Sequence, residues 1–208
     1  MISVVGDVLL PFHSRAEVNL LRSAAYSRYP NRNRIVFFTI IKRESPCRCI
    51  LNYDAMERLV RSLNRTVSVV KFEGKSFGEQ VGIMRNTHVL ITVHGAALTN
   101  IVFMPPGGTV IEMIHPDLHA PFYKYMAYFA SLNHVDFRNI TRTVGCAASS
   151  WNPNLQKNLV ISLKIMKDVL LKVSLSVCCD CVVRSGWRDS RMIDGGVHFH
   201  AGRFGLLE

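Results

Sequence analysis

"HVLITVHGAALTN" (residues 88–100) is the stretch on which the fold turns. Its first six residues are apolar or β-branched apart from His88, a run too continuous to leave one face in water, as in a strand covered on both sides. His94, Gly95, Ala96 and Ala97 then break the run, and Leu98, Thr99 and Asn100 open a short helix. A strand feeding a helix through such a turn is half of a strand–helix–strand unit.

The same alternation extends in both directions. Upstream, Ser76 and Glu79 have the spacing of a capping box before a helix ending near Asn86, and "TVSVVKF" (66–72) predicts a strand. Asn52 predicts a cap for a helix from about Tyr53 to Leu63. "RIVFFTII" (34–41) predicts a strand buried on both faces, and Ser14 with Glu17 opens a helix through about Tyr26. Downstream, Pro105-Pro106-Gly107-Gly108 ends the short helix by removing a donor and then allowing a tight turn. "TVIEMI" (109–114) is a fourth strand, an aromatic helix runs from about Ala120 to Leu132, and "HVDF" (134–137) is a short fifth strand. The fold class expected is α/β: a Rossmann-like, mostly parallel sheet with helices on both faces.

Residues 34–145 form that domain, 1–33 an amino-terminal helix and linker, and 146–208 an amphipathic helix and a Cys-rich tail. Leu159, Leu163, Met166, Leu170, Val173 and Val177 recur at spacings of three and four, with Lys164, Lys167, Asp168 and Lys172 opposite. That pattern predicts a surface helix over 159–177 and no membrane span. The first fifteen residues have no basic leader and read as strand or loop, so no signal or anchor is expected in this sequence.

In a parallel sheet every carboxyl end lies on one edge, so Lys42 and Arg43, His94 to Ala97, and Ile114 to His115 are expected on a single rim, where ligands of such folds bind. The first N–H groups of a helix have no internal acceptor and favour an anion such as a diphosphate, provided side chains stay clear. Gly95, Ala96 and Ala97 satisfy that condition; tight packing of helix on sheet is the alternative reading of the same residues. His94 is either a hydrogen-bonded structural residue or a donor to a phosphate or leaving-group oxygen. Glu112 interrupts an apolar strand, where an unpaired carboxylate costs several kcal/mol. It therefore pairs with a base such as Arg43 or Arg48, or accepts hydrogen bonds from a ligand's hydroxyls, a ribose diol being suitable.

Of the 208 residues, 49% are hydrophobic, enough for one sizeable core. The formal net charge of +10, from 25 Lys and Arg against 15 Asp and Glu, suits anionic partners. Without an RNA-binding aromatic motif, a helix-turn-helix signal or a properly spaced zinc finger, the sequence argues against nucleic acid. The six cysteines fit neither a zinc ribbon nor a dense disulfide framework, leaving free thiols and one bridge as the expectation. Asn64-Arg65-Thr66 and Asn139-Ile140-Thr141 are sequons that permit glycosylation in a secretory lumen.

Residues 76–116, "SFGEQVGIMRNTHVLITVHGAALTNIVFMPPGGTVIEMIHP", resemble the signature region of the family 61 glycosyltransferases: a Gln-containing helix, HGAGLTN, a Pro-Pro-Gly turn and a "VVIE" strand. "IIKRESPCRCILNYDAME" (40–57) is similar to the family's basic segment, and "FYKYMAYFASLNHVDF" (122–137) to its aromatic helix and last strand. The resemblance covers about residues 34–138. It implies the carboxyl-terminal, nucleotide-sugar-binding half of a GT-B fold and an inverting transferase of the Golgi or endoplasmic reticulum lumen. The expected partners are a UDP-sugar donor and a glycan or glycoprotein acceptor, with no metal or other cofactor. It further implies that Arg43, Arg48, His94, Gly95, Ala96, Ala97 and Asn100 lie at the donor diphosphate, His94 being catalytic, and that Glu112 faces the nucleoside. Ala97 stands where the family has a second glycine, and a requirement for positive φ there would cost about 1 kcal/mol. The amino-terminal half of such an enzyme, which shapes the acceptor site and lends the general base, is expected to be missing. A non-catalytic nucleotide-sugar-binding module, or a truncated inactive fragment, is the alternative.

Overall fold

The computed structural model describes residues 3–5, 8–10, 12–31, 34–43, 47–146, 157–179 and 197–200. Its centre is a six-stranded sheet of β3 (Val36–Ile41), β4 (Val67–Val70), β5 (Thr87–Val93), β6 (Thr109–Met113), β7 (Asn133–Phe137) and β10 (Val197–His200). Their order is β10-β7-β6-β5-β3-β4, with β4 through β7 mutually parallel and β10 added antiparallel at one edge. The sheet is mostly parallel and Rossmann-like, as the alternation predicts.

Side-chain alternation on buried strands divides the core in two. Val89, Ile91 and Val93 of β5 and Ile111 and Met113 of β6 pack under α2 (Tyr53–Arg61) and α5 (Leu163–Cys179). Leu90 and Val110 face the other way, under α1 (Arg15–Arg28), α3 (Phe77–Arg85), a 3-10 helix (Ala96–Phe103) and α4 (Phe122–Phe129). Each fully buried aliphatic side chain contributes roughly 1.5–3 kcal/mol, which is why these strands read as unbroken apolar runs.

Local chemistry explains the boundaries. Ser76 and Glu79 complete a reciprocal capping box on α3, and the Ser14 hydroxyl accepts from Glu17 N on α1. Buried Arg22 donates to the carbonyls of Val102 and Ala130, closing the last turns of the 3-10 helix and α4 and fastening α1 to the domain. Gly107 takes φ 84° in the Pro-Pro-Gly-Gly turn, a conformation that favours glycine.

Several expectations need correction. Asn52 makes no side-chain cap; its amide instead holds both N and O of Ile161, so α2 is tied to a strand the sequence reading missed. That strand, β9 (Lys157–Ile161), pairs antiparallel with β8 (Ile140–Gly145). Leu159 therefore belongs to β9, and the amphipathic helix starts at Leu163 with Lys164, Lys167, Asp168 and Lys172 exposed. The aromatic helix is shorter than expected, and β1 (Ser3–Val5) and β2 (Val8–Leu10) form an antiparallel pair. Among the described residues no helix is long and apolar enough to cross a membrane. Of the expected tail, residues 180–196 and 201–208 lie outside them.

Candidate functional site

The crossovers leave the sheet in opposite directions at β3 and β5, which are neighbours: α2 carries the chain from β3 outward to β4, and the helices after β5 carry it toward β6 and β7. Ligands of open α/β sheets bind at the carboxyl end of such a reversal. Arg43 lies just past β3 and His94 just past β5, so the expected rim is present.

Two guanidinium groups converge there on one glycine. A Cβ at Gly95 would stand 2.9 Å from Arg43 Nη1 and 3.4 Å from Arg48 Nη1. Gly95 has φ 162°, extended backbone open to any residue, so the close approach of the arginines is what asks for glycine. Arg43 Nε donates to Cys47 O and Arg48 Nη1 to His94 O, while Arg48 Nε is buried without a partner among the described residues. Neither has a carboxylate at ion-pair distance among the described residues. Burial, with Arg43 beside it, pushes the Arg48 guanidinium below its usual pKa. Two adjacent cations in a part-buried corner are stabilised by an anion between them.

Arg48 is presented by strained backbone. Its φ is 63°, in the left-handed region that costs a non-glycine residue on the order of 1 kcal/mol. The surrounding segment over-determines it: Arg48 N donates to Lys157 O, Cys49 N to Asn158 Oδ1, and Leu51 N to Leu159 O. A Cys47–Cys146 disulfide fastens the same segment across 99 residues of sequence. Burial raises the Cys49 thiol pKa, and Cys49 Sγ donates to Arg43 O.

Beside the arginines the 3-10 helix begins. The N–H groups of Gly95, Ala96 and Ala97 have no backbone acceptor among the described residues, as expected of a helix start. Ala97 is absent from the positive-φ residues, so alanine in place of the second glycine brings no backbone strain. Asn100 is directed away from the rim: it is 8% exposed and its amide donates to Gln80 Oε1 and Ala97 O, bracing the 3-10 helix against α3.

Glu112 likewise departs from expectation. It meets neither Arg43 nor Arg48, and its side chain, 3% exposed, lies between two imidazoles. His94 Nδ1 is 2.5 Å from one carboxylate oxygen and His134 Nε2 is 2.7 Å from the other. Glu112 and His134 sit on adjacent parallel strands and His94 just past the end of β5, on the same face of the sheet, beneath Tyr123, whose ring meets His94 edge-on at 5.2 Å. Burial alone raises the Glu112 pKa; the hydrogen bonds from His134 and His94 outweigh it and hold the carboxyl below its usual range. Burial and then the Glu112 charge push the Tyr123 phenol up. His134 was not foreseen as a site residue, although period-two alternation from Asp136 places it on the Glu112 face of β7.

On the α2 side of the rim a cavity of about 170 Å³ opens next to Arg43, floored by Met56, Val93 and Met113 and walled by Tyr53. Lys42 Nζ stands 4.4 Å above the Tyr53 ring. Among the described residues no cluster of three or more His, Cys, Asp or Glu could hold a metal ion.

Comparison with known proteins gives the arrangement a context. The family described as Glycosyltransferase 61 matches residues 6–111. Protein O-linked-mannose beta-1,4-N-acetylglucosaminyltransferase 2 of Tetraodon nigroviridis is 28% identical over 109 residues, 49% of this chain and 19% of that protein. The protein of the same name from Canis lupus familiaris is 32% identical over 100 residues, 45% of this chain and 17% of its own length. EGF domain-specific O-linked N-acetylglucosamine transferase of Mus musculus is 33% identical over 78 residues, 36% and 15% respectively. The chain thus spans less than a fifth of the length of these relatives.

Proposed function

The chain belongs to glycosyltransferase family 61, and from that premise we propose that its carboxyl rim is the donor site of a glycosyl transfer, with a nucleotide-sugar diphosphate held between Arg43 and Arg48. The observation that carries this reading is the convergence of both guanidinium groups on Gly95 without a carboxylate partner among the described residues. The names of the relatives favour N-acetylglucosamine as the sugar and a protein-linked acceptor; we take the carrier to be uridine diphosphate and the compartment the secretory pathway. This domain is then the nucleotide-sugar half of a GT-B enzyme.

The chemistry follows from the charges. In an inverting transfer the acceptor hydroxyl gives its proton to a base and its oxygen bonds to the anomeric carbon as the bond from that carbon to the phosphate oxygen breaks, and negative charge gathers on the departing diphosphate. Arg43, Arg48 and the open N–H groups of Gly95, Ala96 and Ala97 are preorganised for that charge, which is how such sites lower a barrier. His94, with a proton on each ring nitrogen, gives the one on Nε2 to the leaving oxygen, which makes His94 the catalytic residue of this rim. The nucleoside goes into the cavity beside Arg43, whose apolar floor and aromatic wall suit a flat heterocycle. Glu112, with both oxygens already engaged by imidazoles, is not its partner.

Calorimetric titration with uridine diphosphate and with uridine tests the reading. The diphosphate binds and uridine binds far more weakly; equal affinity for both would remove the arginines from the account.

A further inference from the structure

The buried line His94–Glu112–His134 is more elaborate than a phosphate contact requires. An ionised carboxylate only accepts hydrogen bonds, so at 2.5 Å His94 Nδ1 must carry the proton and donate it. The Nε2 atom, on the far side of the ring, makes no hydrogen bond among the described residues and is not among the buried unsatisfied atoms. His134 donates from Nε2 to the other oxygen by the same logic, and its Nδ1 is buried without a partner. Glu112 thus has two donors, of which only His94, 14% exposed, reaches the rim.

Resting on the donor-site reading, we propose that Glu112 and His134 are positioning residues for His94: the carboxylate fixes the imidazole as the Nδ1–H tautomer with Nε2 turned to the donor, and His134, bonded to the other oxygen, keeps that carboxylate from turning away. Free histidine in water prefers the Nε2–H form, which would present a permanent donor to the phosphate and could not cycle a proton. With Nδ1–H fixed, Nε2 accepts or gives a proton according to the charge before it. Glu112 supplies the orientation, as a carboxylate does behind any catalytic imidazole. His134 holds the second carboxylate oxygen at 2.7 Å, so the first stays aimed at His94. Among the described residues the other titratable or charged groups around the line include Tyr123 on α4, Arg48 at the rim, Asp136 beside Glu112 on β7, which pairs with Arg138, and His115 after β6, while His200 of β10 holds the register position beside His134.

Nitrogen NMR of the histidine-labelled full chain reads the tautomer directly. Wild-type His94 is expected as Nδ1–H when neutral. Glu112→Gln removes the charge and returns His94 toward Nε2–H. His134→Leu frees one carboxylate oxygen and loosens the preference for Nδ1–H, and His134→Gln, whose amide again donates, restores it. Affinity for uridine diphosphate falls in Glu112→Gln and His134→Leu and returns in His134→Gln, a rescue that a merely structural role would not give. A wild-type His94 in the Nε2–H form overturns the proposal, as does a folded Glu112→Gln with unchanged tautomer; should His134→Leu not fold, these two results decide. Wild type that fails to bind uridine diphosphate while showing the expected tautomer sinks the donor reading alone.

Discussion

Arg43 Nη1 occupies the space that a side chain at position 95 would need, 2.9 Å from where its first carbon would stand. The nearest atom is the end of a flexible side chain and the backbone at Gly95 is extended, so Gly95→Ala folds with little change in stability. It displaces the guanidinium and lowers affinity for uridine diphosphate on the order of tenfold, the worth of one charge-assisted hydrogen bond. Calorimetry beside a thermal melt checks both halves.

Arg48 should separate function from stability. Glycine at its φ of 63° relieves strain, so Arg48→Gly melts at or above the wild-type temperature while affinity for uridine diphosphate falls roughly tenfold to a hundredfold. A variant losing both together would show that Arg48 is held for the fold.

Glu112 makes stability depend on acid. Its folded pKa lies below its unfolded value of about 4.3, so its contribution is present above that pH and is lost as pH falls through the folded value. Urea denaturation from pH 6 to pH 3 will show a steeper loss in wild type than in Glu112→Gln. Glu112→Ala, which strands the buried His134 imidazole and the part-buried His94, costs on the order of 3 kcal/mol at neutral pH.

The Cys47–Cys146 bridge spans 99 residues of sequence, and closing a loop of about 100 residues is worth up to roughly 4.7 kcal/mol in the unfolded chain. Cys146→Ser therefore loses about 2–5 kcal/mol in denaturant. Because the bridge also fastens the segment that presents Arg48, affinity for uridine diphosphate falls with it.

The two sequons are not equivalent. Asn64 is exposed at φ 53° between α2 and β4, whereas Asn139 Nδ2 is buried. In a secretory expression host, Asn64→Gln abolishes the glycosidase-sensitive shift in mobility and Asn139→Gln leaves it.

The sheet was legible because strands buried on both faces carry long apolar runs, and capping chemistry at Ser76 and Glu79 marked a helix boundary. The gathering of Arg43, His94 and Gly95 followed from parallel order alone. The pairing of β8 with β9 was not legible, since "ITRTVG" and "KNLVI" carry weak alternation and join across a long connection. Leu159 sits four residues before Leu163, so helical spacing extended by coincidence into a strand. Partners distant in sequence escaped for a common reason: Glu112 with His134, Asn52 with Ile161 and Cys47 with Cys146 are set by register and packing, not by local pattern.

The central claim is that the switch point between β3 and β5 holds a diphosphate. A structure of the chain crystallised with uridine diphosphate tests it most directly. Phosphate oxygens bonded to Arg43, Arg48 and the amides that begin the 3-10 helix are the predicted result; a diphosphate bound away from the carboxyl ends of β3 and β5 would contradict it.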